Sequence, residues 1–199
     1  MIASAGAKRW CRWREDPKTA GCDNLGSGVG GGLVVDGVIY HGARPGESEI
    51  GHVRLDKAGT LVENRCSGWA LDRRVRQMKR DGIQSLLTDS LPSAPGGEAR
   101  FLSAALAAKD PVAWQLLREV AEDLGFALSH VIHLFHPEVI ILGGGLSLIG
   151  EPLRQEVEQA LSRFQMEVFL GRTQLKLAAL GEDAVPVGCL LGAQTIAKT

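Results

Sequence analysis

From Leu33 onward, apolar and polar positions fall into short runs whose spacing switches between that of strands and that of helices. Leu33-Val34-Val35 and Val38-Ile39-Tyr40 are separated by Asp36-Gly37, which suits the positive φ angles of a type I′ turn. The three pieces predict a hairpin. Val53-Arg54-Leu55 predicts a further strand. Leu71, Val75 and Met78 recur at helical spacing between Trp69 and Arg80, and Gly82 supplies a C-terminal stop. The Pro-, Gly- and Ser-rich stretch 91–97 reads as a loop and 98–108 as a helix. Asp110-Pro111 is an N-cap followed by proline at the first helical position; it opens a long helix through Phe135, which Pro137 ends. Residues 138–142 read as a buried strand, 152–165 as an amphipathic helix, 175–180 as a strand and 187–197 as a final helix. Residues 1–24 hold Trp10, Cys11, Trp13 and five basic residues without a sustained period. No element is predicted there, and the segment is taken as an unassigned, disordered leader ahead of one unit over 25–199. Strands alternating with helices behind a hairpin predict an α/β fold whose mixed sheet is flanked by helices.

Composition narrows the function classes. The 199 residues are 45% hydrophobic and 23% charged, enough for a sizeable core. Lys+Arg 22 against Asp+Glu 23 leaves a formal charge of −1, so no global field exists to hold nucleic acid or an anionic membrane. Val139-Ile140-Ile141-Leu142 falls far short of the ~20 apolar residues of a membrane span. Cys11, Cys22, Cys66 and Cys189 form no CxxC pair, and the start has no apolar signal region; both features predict reduced thiols in a cytoplasmic protein. Arg73, Arg74, Arg76, Lys79 and Arg80 read as a solvated helix face or a surface for an acidic partner. His130, His133 and His136, near the end of the long helix, suit its dipole better than a metal.

The 25 glycines cluster. Gly26-Ser27-Gly28-Val29-Gly30-Gly31-Gly32 reads as a glycine loop feeding the hairpin. It contains GxGxxG, but Cys22–Leu25 does not read as a strand and no helix follows, so the nicotinamide-dinucleotide reading is set aside. Backbone N–H groups of such a loop can still cradle phosphate, with Ser27 adding a hydroxyl. Gly143-Gly144-Gly145 follows a buried strand, where ligands dock in open sheets and where a flat ring could lie against bare backbone.

Three segments in order carry a family resemblance: Gly26–Gly32, Glu49-Ile50-Gly51-His52, and His136-Pro137-Glu138-Val139-Ile140-Ile141-Leu142-Gly143-Gly144-Gly145. They resemble the ROK family of repressors, open reading frames and sugar kinases, over about Asp23 to Ala197. The resemblance implies the actin-like ATPase (ribonuclease H-like) fold, here mainly its C-terminal lobe, with hexose and ATP in the cleft between lobes. It implies ATP contacts at Gly26, Ser27, Gly28, Gly30 and Gly31 and at Gly143, Gly144 and Gly145, with Mg²⁺ accompanying the nucleotide. It implies sugar contacts at Glu49 and His52, and at Glu63 through its distance from Ser67-Gly68. A homodimer is compatible with it.

Two departures qualify the resemblance. Many relatives bind zinc between the histidine of Glu-Ile-Gly-His and a Cys-rich loop; Val53–Val62 contains no cysteine, so no zinc is expected. Intact kinases also carry an Asp-x-Gly-Gly-Thr phosphate loop and an Asn-Asp-x-Asn segment whose Asp is the general base. Neither occurs in these 199 residues. The expectation is therefore a glucokinase-like lobe that lacks the N-terminal lobe and the strand ahead of Gly26, and is inactive alone. The alternative is a non-catalytic, sugar-sensing module.

Overall fold

The computed structural model describes residues 19–36, 38–43, 48–92 and 94–179. The helix expected over 187–197, the end of the strand expected to reach 180, and the leader up to 18 lie outside them.

A five-stranded mixed sheet forms the frame. β1 (Thr19–Leu25), β2 (Val29–Val35), β3 (Val38–Ile39), β4 (Val139–Gly143) and β5 (Gln174–Leu177) lie in the order β3-β2-β1-β4-β5. β1 pairs antiparallel with β2 and parallel with β4, which in turn pairs parallel with β5. β1 is therefore the central strand, where no element was predicted and where the strand ahead of Gly26 was expected to be missing. Its sequence, Thr-Ala-Gly-Cys-Asp-Asn-Leu, has neither alternation nor β-propensity; ladders on both sides make it a strand. Gly30, Gly31 and Gly32 are likewise strand residues, opposite Asn24, Asp23 and Cys22, so the true loop is only Gly26–Gly28. The predicted hairpin forms, with Val35 opposite Val38 and Asp36 at φ 50°.

The helices follow as α1 (Val62–Cys66), α2 (Gly68–Arg80), α3 (Leu86–Asp89), α4 (Leu102–Ala107), α5 (Pro111–Phe135) and α6 (Glu151–Phe164). Val53–Leu55 is not a strand; Arg54 makes a single bridge to Leu61. The segment expected as one helix from 98 to 108 splits into a 3₁₀ turn, Glu98–Phe101, and α4. The Asp110 cap behaves as predicted: its carboxylate accepts from the Val112 and Ala113 N–H groups at 2.8 and 3.0 Å.

The larger core gathers around α5, where Leu116, Leu117, Val120, Leu124, Leu128 and Ile132 are buried with Ile140 and Leu142 of β4 and Leu153, Val157 and Leu161 of α6. A Cβ at Gly125 would lie 2.8 Å from the Leu161 nitrogen, so α5 and α6 cross at the closest approach glycine permits. Val139 and Ile141 alternate to the opposite face, with Ala20, Val34 and Ile39.

Candidate functional site

The parallel register of β1 with β4 sets Asn24 opposite Gly143, so the chain leaves both strands at the same edge of the sheet. The two glycine turns emerge side by side. Gly144, at φ 82°, is pressed against β1: a Cβ there would stand 2.6 Å from the Leu25 carbonyl carbon. No side chain other than glycine's fits both that φ and that distance. Gly145, by contrast, faces open space.

The first turn is docked on a helix start. Gly68 N–H donates to the Gly26 carbonyl at 2.8 Å and Trp69 N–H reaches the Ser27 carbonyl at 3.4 Å. Ser67 caps the same helix, accepting from Ala70 N–H at 3.1 Å. The turn's far side is held by Glu63, whose Oε2 accepts the Val29 N–H at 3.0 Å.

Between these turns and α2 opens a cleft of about 550 Å³. Gly26, Ser27 and Gly145 line one part of it, Trp69, Asp72, Gly97 and Arg100 another, and Leu146, Leu148 and Ile149 a third. The loop carrying Gly97 and Arg100 is fastened to α2 twice. Asp72 accepts from Gly97 and Ala99 N–H at 3.2 and 2.7 Å, and Arg76 grips Glu98 with two bonds of 2.7 and 3.2 Å. Burial pushes the Glu98 carboxyl up, but Arg76 and the Gly96 N–H outweigh it and hold it below the usual glutamate value.

Glu49 and His52 lie a turn away on the 3₁₀ segment Ile50–His52, Oε2 to Nδ1 3.9 Å apart and both well exposed. That segment packs on β2 because Ile50 is buried and Gly51 lies flat against the Val29 carbonyl, leaving no room for a Cβ. Val29 thus joins the expected sugar residues: its N–H is held by Glu63 and its carbonyl faces Gly51. Gly28 borders Glu63, whereas Gly30 and Gly31 lie within β2 and do not line the cleft. Among the described residues no three His, Cys, Asp or Glu side chains are grouped to hold a metal.

Several side chains singled out by sequence have internal roles. Arg74 pairs with Glu119 and Arg76 with Glu98, both half-buried, whereas Arg73, Lys79 and Arg80 are exposed, Lys79 while donating to the Leu91 carbonyl, so the run is divided between the fold and a solvated face. His130 bonds the Phe126 carbonyl, and His133 accepts the Met166 N–H at 3.1 Å. His136, at φ 47°, stacks 4.7 Å from Phe169. Burial pushes the Cys66 thiol up to about 12, which leaves it inert.

The model of the ROK family matches residues 2–199. The chain belongs to the ROK family. The match reaches ahead of Asp23, where the motifs alone had stopped, and takes in the whole of β1. A glucokinase of Thermotoga maritima is 30% identical over 182 residues, covering 87% of this chain and 56% of its own length. The xylose repressor of Caldicellulosiruptor bescii is 22% identical, covering 84% of this chain and 44% of its own length. In structure, the ROK glucokinase of Streptomyces griseus, solved with glucose and AMPPNP, matches with a TM-score of 0.78 and 27% identity, over 94% of this chain and 65% of that one. The chain spans about half the length of the curated relatives it matches. This is the actin-like ATPase fold of ROK sugar kinases.

Trp69, Asp72, Gly97, Arg100 and the Leu146–Ile149 turn went unread in the sequence as parts of the cleft. Trp69 carried the one usable signal, a bulky aromatic directly after a capped helix start beside a glycine turn.

Proposed function

We propose that this ROK chain forms the sugar- and nucleotide-binding lobe of an ATP-dependent hexose kinase of the glucokinase type. The observation that carries the reading is the β1–β4 register, which places both glycine turns at the mouth of one cleft, as phosphate and nucleoside binding require. Phosphates would lie against Gly26, Ser27 and Gly28 and beside Gly144 and Gly145. Glu49 and His52 offer exposed donor and acceptor groups suited to hexose hydroxyls, and Glu63 offers the carboxylate oxygen that Val29 does not use. Mg²⁺ accompanying the nucleotide would neutralise phosphate charge, and Ser27 would be the hydroxyl of the Gly26–Gly28 turn available to it. A cytoplasmic location belongs to the same reading. No helix among the described residues is long and apolar enough to cross a membrane.

Phosphoryl transfer rests on positioning and electrostatics, with one carboxylate to take the hydroxyl proton. These 199 residues contain no Asn-Asp-x-Asn segment to provide it, so the chain alone is proposed to bind without turnover. Calorimetric titration with a hexose panel, with and without a magnesium–nucleotide complex, tests the reading. Binding of one hexose, altered by nucleotide, supports it; no hexose binding in either condition overturns it. The second reading, a non-catalytic sugar sensor, draws on the xylose repressor match. Hexose binding indifferent to nucleotide would favour it.

A further inference from the structure

We propose that Trp69 and Arg100 read the base of a purine nucleotide in the 550 Å³ cleft; the proposal rests on the nucleotide reading above. Among the described residues Trp69 is the one aromatic side chain lining that cleft, and it remains 63% exposed although the Gly68 and Ala70 N–H groups on either side of it are held by the Gly26 carbonyl and the Ser67 hydroxyl. Leu148 lines the same cleft from the 3₁₀ turn Gly145–Ile149 and is 60% exposed. Two large apolar groups left open on separate elements of one cavity suit a flat ring, and an indole offers the better stacking face.

Arg100 supplies polarity in that cleft. One face of its guanidinium lies over the Phe101 ring, 4.8 Å from the centroid. Its N–H groups have no carboxylate partner among the described residues, unlike those of Arg74 and Arg76. Two acidic groups of the same wall are already engaged: Asp72 by the Gly97 and Ala99 N–H groups, Glu98 by Arg76 and Gly96 N–H. A guanidinium only donates, so its partner in the cleft must accept. Adenine offers such acceptors at its ring nitrogens and cytosine at O2 and N3, so the preference for a purine rests on the wider face its fused rings offer to Trp69.

The test titrates the chain, and its W69A, W69F and R100Q variants, with ATP, CTP and tripolyphosphate, with thermal melts as a control for folding. W69A is expected to weaken ATP by about tenfold or more, the scale of one lost base stack, with W69F recovering most of the loss. R100Q is expected to weaken ATP severalfold, W69A to narrow the preference for ATP over CTP, and tripolyphosphate should bind all four proteins alike. Wild-type binding of ATP that W69A leaves unchanged would overturn the assignment of Trp69 while leaving the nucleotide reading in place. ATP binding that R100Q leaves unchanged would overturn that of Arg100. Wild-type protein that binds ATP no more tightly than tripolyphosphate would show that no base is held, and one that binds neither would overturn the nucleotide reading as well.

Discussion

Glu63 holds Val29: the carboxylate Oε2 takes the backbone N–H at 3.0 Å across a sequence separation of 34 residues. One charged group thereby closes the Gly26–Gly28 turn and stands at the rim of the expected sugar site. The proposed ligand role would fall to the other oxygen of the same carboxylate.

Removing that carboxylate should therefore be felt before any ligand is added. Glu63→Ala leaves the Val29 N–H without its partner and is expected to cost about 1.5–3 kcal/mol, the range for hydrogen bonds to charged groups. Urea unfolding measures it. A loss below about 0.5 kcal/mol would mean that water replaces the carboxylate freely.

The glycines around Val29 should differ sharply. A Cβ at Gly28 meets the Glu63 carboxylate at 2.5 Å, the movable end of a long side chain, whereas at Gly51 it meets the Val29 backbone. Gly51→Ala is expected to destabilise by more than about 2 kcal/mol and Gly28→Ala by less than half of that, as overpacking against fixed atoms costs more than displacing a side chain. Paired chemical melts decide it, and equal losses would contradict the geometry.

Asp110 makes stability depend on acid. Burial raises its carboxyl, but bonds from the Ala113, Leu87, Leu86 and Val112 N–H groups outweigh burial and hold it below the usual value of 3.8. The native state thus favours the ionised form, and the stabilisation is full above the unfolded value. It is lost as pH falls through the lower native one. Asp110→Asn turns an amide donor toward the Leu87 or cap N–H groups and is expected to cost about 1–3 kcal/mol at pH 7. That difference should shrink steadily below about pH 4. A difference independent of pH from 7 to 2 would exclude the linkage.

For the sugar ligands, Glu49→Gln is expected to weaken a bound hexose by about 1.5–3 kcal/mol while leaving the melting temperature unchanged, because the side chain is exposed. Calorimetry on both proteins checks it, and unchanged affinity would remove Glu49 from the site.

What the sequence disclosed was local. The Asp110-Pro111 cap, the Asp36-Gly37 turn and the apolar run of β4 act through neighbours a few residues away, so their signals sit in the sequence itself. β1 carries no such signal because Gly21, Asp23 and Asn24 are strand residues only by virtue of β2 and β4. Gly30–Gly32 misled for the same reason: glycine reads as a loop unless a partner strand is known. Ser27 and Gly145, which line the cleft, could be named in advance through the family resemblance. The wall formed by Asp72, Gly97 and Arg100 could not, since it exists only once the loop is bound to α2 across 25 residues or more.

The central position of β1 also sets the order in which the chain can fold. Its hairpin with β2 closes over three residues and needs nothing else, a microsecond-scale event. Its other edge has to wait for β4, more than a hundred residues later. On the ribosome the hairpin emerges early with one row of backbone donors and acceptors unmatched, a template for pairing with a second nascent chain. Completion of the sheet is then governed by the slow closure of a long loop, so a variant that delays α5 or β4 should reveal itself first as aggregation during synthesis.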